Sequence, residues 1–225
     1  MAAKPPEAAA RPRRWVRPAV IAGAFAILFA FLPPFRVVPL NSPSSRPGVA
    51  TFDAPAFAAT FWTERLQPAA LTGGTDLTVL VRDLRADPAA ARAAHARTVG
   101  IGGRAYYLVR GSGRLVGRER SALLLEPEGA PGARIALRTG PVFGNTLRDA
   151  SGLLEVNDFP GLTEFNALAA ALNALVEERV LPALAAELPD GATISFTGAV
   201  EVPGSLPADP AAPLLAFTPL RAEVK

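Results

Sequence analysis

The chain contains no cysteine, one histidine (His95), and two lysines set against 21 arginines. Without cysteine there is no disulfide, no thiolate metal ligand and no thioether attachment of lipid, so a domain outside the cytoplasm would rest on packing alone. A lone histidine in an Ala-rich stretch leaves no His pair for a transition metal and reads as a surface helix residue. No G-x-S-x-G turn accompanies it, so the strand-to-helix nucleophile of an α/β-hydrolase is missing. Gly111 to Gly117 lacks the Lys-Ser/Thr ending of a phosphate loop, and Gly111-Ser112-Gly113 reads instead as a tight hairpin between two strands. These absences leave no metal, cofactor or catalytic residue to assign.

One apolar run, Ala19 to Leu32, follows a tail carrying Lys4, Arg11, Arg13, Arg14 and Arg17. Basic flanks resist translocation, which orients such a segment with its N-terminus in the cytoplasm. A helix of the run alone would be about 21 Å long, against a hydrocarbon core of roughly 30 Å. Trp15, Phe35, Val37 and Val38 extend the apolar reach. No small-residue cleavage site follows the run, so the expectation is an uncleaved signal-anchor. The sequence thus divides into a cytoplasmic tail at 1–18, a transmembrane signal-anchor at 19–35, a Pro/Ser-rich spacer at 36–50 and an extracytoplasmic domain at 51–225. Contact with the lipid bilayer is expected through residues 15–35, in an inner, cytoplasmic membrane crossed once.

The sequence isoelectric point near 9.9 owes much to the tail. Beyond residue 33 the chain holds 18 basic and 19 acidic side chains. A nearly neutral body removes the electrostatic case for a nucleic-acid backbone partner.

The body opens on an aromatic helix, Phe52 to Leu66, whose Phe57, Phe61, Trp62 and Leu66 share one face and which Pro68 should end. Further helices are expected from Thr75, as N-cap, through Leu84, and from Pro88 to about Arg97. Short alternating runs follow at Arg104 to Arg110, Arg114 to Arg118, Ser121 to Glu126 and Ala133 to Thr139, an antiparallel meander. After an irregular segment, Val142 to Asn157, a long helix starts near Pro160, with Leu162, Phe165, Leu168, Leu172, Leu175 and Val176 on its apolar stripe and a break at Pro182. Pro189-Asp190-Gly191 turns the chain into Thr193 to Val200, and Leu214 to Phe217 and Leu220 to Val224 supply the last strands. The fold class is therefore α+β: an anchor helix, a helical cover, and a small antiparallel OB-like β-barrel with a long helix inserted between strands.

The stretch Tyr106 to Val116, the block Thr139-Gly140-Pro141-Val142-Phe143-Gly144-Asn145-Thr146-Leu147-Arg148-Asp149-Ala150, and Phe159 with Glu164-Phe165 resemble the DUF2291 family of predicted periplasmic lipoproteins. Phe61-Trp62 to Pro68 is similar to the family's opening segment. The resemblance implies an OB-like fold, no established activity, and association with sugar ABC-type transport systems. Two departures stand out. The acceptor cysteine of a lipoprotein is missing, and Gly161-Leu162 occupies the start of the long helix where the family favours an Asn-Gln pair.

The ligand-binding candidates are Gly140, Pro141, Asn145, Arg148, Asp149 and Asn157, whose amides and guanidinium could hold a polyol or carboxylate. The bland alternative makes Arg148 and Asp149 turn caps and Gly140 a backbone requirement. A second constellation sets Arg104, Arg110, Arg114, Arg118 and Arg120 beside Tyr106 and Tyr107, in the manner of OB folds that hold single strands, but alternation splits it across two faces. The leading expectation is a membrane-tethered, non-enzymatic binding or accessory domain for a transporter component or a small polar solute. The competing classes are an extracytoplasmic hydrolase using Asp149 with Glu155 or Asp158, and an OB-fold binder of single-stranded nucleic acid.

Overall fold

In the computed structural model, residues 52–99, 104–202, 206–207, 209 and 212–225 are described. The chain divides into two units, Met1–Thr51 and Phe52–Lys225, and the described residues belong to the second. Among them no helix is long and apolar enough to cross a membrane. The anchor expected at 19–35 lies outside the described residues.

Helix α1 (Ala54–Phe61) begins where Asp53 accepts from the Ala56 amide at 3.0 Å. It runs through a π-helical turn (Trp62–Leu66) into α2 (Gln67–Gly73). Pro68 does not end the helix, contrary to the sequence reading. It sits in the first turn of α2, where a missing N–H costs least, because the π turn upstream has already changed the hydrogen-bond register. Trp62 and Leu66 are buried, whereas Phe57 is 38% exposed.

A two-residue strand, β1 (Thr75–Asp76), leads into α3 (Leu77–Ala86), and α4 (Pro88–His95) follows. The caps are Asp76 and Asp87, whose carboxylates accept from the second and third amides of their helices. Thr75, expected as the cap, pairs with Val109 instead. Leu77, Leu80, Val81 and Leu84 turn into the core at the expected spacing.

The sheet holds β2 (Arg97–Val99), β3 (Arg104–Glu119), β4 (Ala122–Pro127), β5 (Ile135–Arg138), β6 (Thr193–Val202) and β7 (Ala216–Val224). The two strands and hairpin expected around Gly111-Ser112-Gly113 form one long strand, β3, that pairs with β6 over Ala105 to Arg114 and with β4 over Gly113 to Glu119. The glycines serve close approach rather than reversal. A Cβ at Gly111 would stand 2.4 Å from the Leu77 Cβ, and one at Gly113 would stand 2.9 Å from the Glu126 carbonyl oxygen.

The pairings run β3, β4, β5, β7, β6 and back to β3. The expected all-antiparallel barrel is corrected at two places: the short β1 lies parallel to β3, and β5 meets β7 in parallel through only two residue pairs, Ala136 with Ala216 and Leu137 with Phe217. The curled sheet is therefore a partly open one of the OB kind, narrow at that seam. Pro219, inside β7, is tolerated because the register shifts opposite it between Thr197 and Gly198.

Between β5 and β6 come α5 (Thr146–Ser151), a 3₁₀ turn (Val156–Asp158), α6 (Leu162–Arg179) and α7 (Leu181–Ala185). Phe165, Leu168, Leu172, Leu175 and Val176 carry the buried stripe of α6, while Leu162 is 63% exposed and does not belong to it. The helix breaks before Pro182 as expected. Val109, Leu125, Ile135, Leu137, Ile194, Phe217 and Leu220 are buried along the sheet, continuous with the helical core.

Candidate functional site

The Gly140 to Asn157 segment is organised around two charged groups that leave water. Arg148 and Asp149 are 5% and 8% exposed, on a short helix whose last residues meet α6. The Arg148 Nε donates to Asp149 Oδ1 at 2.8 Å, and its Nη1 donates to the Phe165 carbonyl at 3.0 Å and to Asn166 Oδ1 at 3.1 Å. The guanidinium also lies 3.6 Å from the centroid of the Phe165 ring. That ring continues an aromatic cluster through Phe159, Phe57 and Phe52. Arg148 is thus a bolt between α5 and α6, with its donors directed at protein groups.

The neighbouring polar residues serve the same junction. The Val142 amide donates to Glu177 Oε1 at 2.7 Å, and Asn173 Nδ2 donates to the Gly144 carbonyl at 2.9 Å. The Gly140 amide donates to the Ser121 carbonyl, and a Cβ at Gly140 would stand 2.7 Å from the Ser121 Cβ. Pro141, Asn145 and Asn157 are exposed. The structure therefore brings Arg148 and Asp149 together and leaves Asn145 and Asn157 at the surface. Of the carboxylates named for a hydrolase, Asp149 is engaged by Arg148, and Asp158 accepts from the Glu155 amide at 2.8 Å.

Most of the arginine constellation, Arg120 excepted, is spent in similar fashion. Arg104 pairs with Glu201 at 3.4 Å and Arg114 with Glu126 at 2.7 Å, while Arg118 donates to the Leu188 carbonyl. Tyr106 and Tyr107, neighbours on a strand and so on opposite faces, are both buried. Burial pushes both phenols above their ordinary range. Neither ring is placed for stacking on a base.

Two clefts that no sequence motif marked lie among the described residues. The first, about 440 Å³, opens beside β3, β6 and β7 and is lined by Leu71, Asp76, Arg110, Ser195, Thr197, Arg221 and Glu223, among others. Arg221 Nε donates to Glu223 Oε1 at 3.0 Å, and Arg110 Nη1 donates to the Leu71 carbonyl at 3.1 Å. Two guanidinium groups and two carboxylates thus share a nearly neutral wall with two hydroxyls. The second, about 620 Å³, lies on the helical side near His95, Arg97 and Ser151. The only sequence signal for the first was the alternation of β7, which sets Arg221 and Glu223 two residues apart on one face.

His95, expected as a surface helix residue, closes α4 and is half-buried. Its Nε2 meets Asp83 Oδ2 at 3.0 Å, and this hydrogen bond is the main reason the Asp83 carboxyl lies below its usual range. Among the described residues no group of three or more His, Asp or Glu side chains could hold a metal ion.

Two comparisons bear on these features. A family model described as predicted periplasmic lipoprotein, DUF2291, matches residues 25–221. The crystal structure of an OB-fold protein from Thermotoga maritima is similar to this chain with a TM-score of 0.64 and 25% identity, covering 78% of this chain and 100% of that one. No curated protein matches the sequence.

Proposed function

We propose, on the premise that this chain belongs to the DUF2291 family of predicted periplasmic lipoproteins, that its folded body is a non-catalytic binding domain tethered outside the cytoplasmic membrane and accessory to solute uptake. The tether is the apolar segment at 19–35, since the sequence has no cysteine to carry a lipid. Its orientation, with the N-terminus inside, follows from the five basic residues that precede it. The bound solute is a small polyhydroxylated molecule of the sugar class.

The observation that carries the solute class is the cleft at β3, β6 and β7. Arg110 and Arg221 present donors, Asp76 and Glu223 present acceptors, and Ser195 and Thr197 add groups that do both. Such a balanced wall suits vicinal hydroxyls, each a donor and an acceptor, better than it suits an ion. Leu71, 44% exposed, supplies an apolar surface at the rim. The volume falls in the range of sites for small molecules. Oligosaccharide binding is a known use of OB folds, which adds support at the level of architecture alone.

The test uses the full chain in its membrane. Carbonate-washed membranes should retain the protein and bind at least one of a panel of labelled neutral monosaccharides. The double variant R221A/E223A should lose that binding by about tenfold or more, the value of one or two hydrogen bonds to charged groups. Release of the protein by carbonate would overturn the tether, and binding unchanged in the double variant would overturn the site.

A further inference from the structure

The second cleft differs from the first, nearly neutral one in holding a guanidinium group with no carboxylate to balance it. Its wall is built from Thr72 and Thr75 at the α2–β1 corner, His95 and Arg97 where α4 passes into β2, and Ser151 and Leu153 after α5. No carboxylate is among its lining residues. The backbone of Arg97 pairs with Tyr106 in the sheet, but its side chain makes no ion pair or hydrogen bond among the described residues, unlike those of Arg104, Arg114, Arg148 and Arg221.

The stem of Arg97 is nonetheless held. Gly152 takes a left-handed conformation at φ 60°, and a Cβ there would come within 3.0 Å of Arg97 Cδ and Nε. A glycine at this position both permits the backbone angle and lets the arginine lie across it. The guanidinium therefore projects from a seated stem with its own fork of donors unengaged.

Its surroundings add a second guanidinium, and the Asp83 carboxylate behind His95 is already engaged. Arg65 Nη2 donates to the carbonyl of Leu153 at 3.4 Å and so stands at the rim. The Asp83 carboxylate that faces His95 is shared with Arg82 at 2.8 Å. The hydroxyl hydrogens of Thr72 and Ser151 go to the carbonyls of Pro68 and Arg148, at 2.9 and 2.6 Å. The donors left for a ligand are those of Arg97 and Thr75. Ala69, Ala96 and Leu108 supply apolar wall for a carbon skeleton.

We infer that this cleft is a binding site for a small organic anion, held through a carboxylate or phosphate group by the guanidinium of Arg97. A planar fork that meets two oxygens of one oxyanion is the arrangement in which arginine binds most strongly. The inference does not depend on the neutral solute proposed for the other cleft. The two sites differ in ligand charge and share no lining residue.

The experiment is calorimetric titration of the full chain in detergent at fixed ionic strength, with inorganic phosphate and glucuronate as anionic probes and glucose as the neutral one. Wild type should bind both anions, and phosphate should compete with glucuronate. Arg97→Gln should weaken both by about tenfold or more while melting at the wild-type temperature, and Arg221→Gln should leave phosphate binding unchanged. Failure of wild type to bind either anion, or equal anion binding by wild type and Arg97→Gln, would overturn the site. Glucose binding lost only in Arg221→Gln would speak to the other cleft alone.

Discussion

Arg148 and Asp149 were two of six ligand-binding candidates in the sequence, with turn-capping as their alternative role, and their burial was not legible there. An Arg-Asp pair after a Gly-Pro turn looks the same in sequence whether it faces solvent or a helix. What decides is Phe165, 17 positions later, whose carbonyl accepts the guanidinium and whose ring lies under it. Removing one member of a buried pair strands the other, at a cost of about 3–5 kcal/mol. Arg148→Ala should therefore lower unfolding stability by about that amount in urea titration. Joint replacement by Met at 148 and Leu at 149 should restore part of the loss, because no buried charge then remains. A solvent-facing pair would give a change of only about 0–1 kcal/mol.

Among the elements, helices were read well and strand boundaries less well, for a physical reason. The buried Leu77, Leu80, Val81 and Leu84 repeat at helical spacing within one short window, so local pattern and burial agree. In β3 they conflict. Gly-Ser-Gly is a turn signal locally, but Leu77 from α3 packs so close to Gly111 that only a residue without a side chain fits. Pro68 misled in the same way, since the π turn that accommodates it leaves no mark in residue type. Gly111→Ala should thus destabilise through overpacking, by about 1–3 kcal/mol in the same urea titration. Were the segment a free hairpin, the substitution would be nearly neutral.

For the molecule as a whole, the near balance of 18 basic and 19 acidic groups beyond residue 33 means that acid stability rests on particular carboxylates, not on net charge. Glu126 is one of them. The Gly132 amide, at 2.9 Å, and Arg114 hold its carboxyl below the usual carboxylate range. A depressed folded-state pKa adds stability that is present above the unfolded value and fades as pH falls through the folded one. Glu126→Gln should therefore melt below wild type at pH 7, and the gap should close as the medium is taken below about pH 4. A gap that stays constant into acid would assign the effect to packing. The OB-like order of strands was legible because strand, helix and strand runs succeed one another. The two clefts were not, because each draws on elements far apart in sequence.

The narrow parallel edge between β5 and β7 also has a meaning for how the protein is made. The strand that joins the two ends of the curl, Ala216–Val224, is synthesised after the six other described strands, and it pairs with both β5 and β6. A chain growing from its N-terminus cannot join β5 to β6 before that stretch is available. Until then each of those two strands keeps one edge without its partner, and Leu137 and Ile194 lack part of the cover that Phe217 and Leu220 give the core.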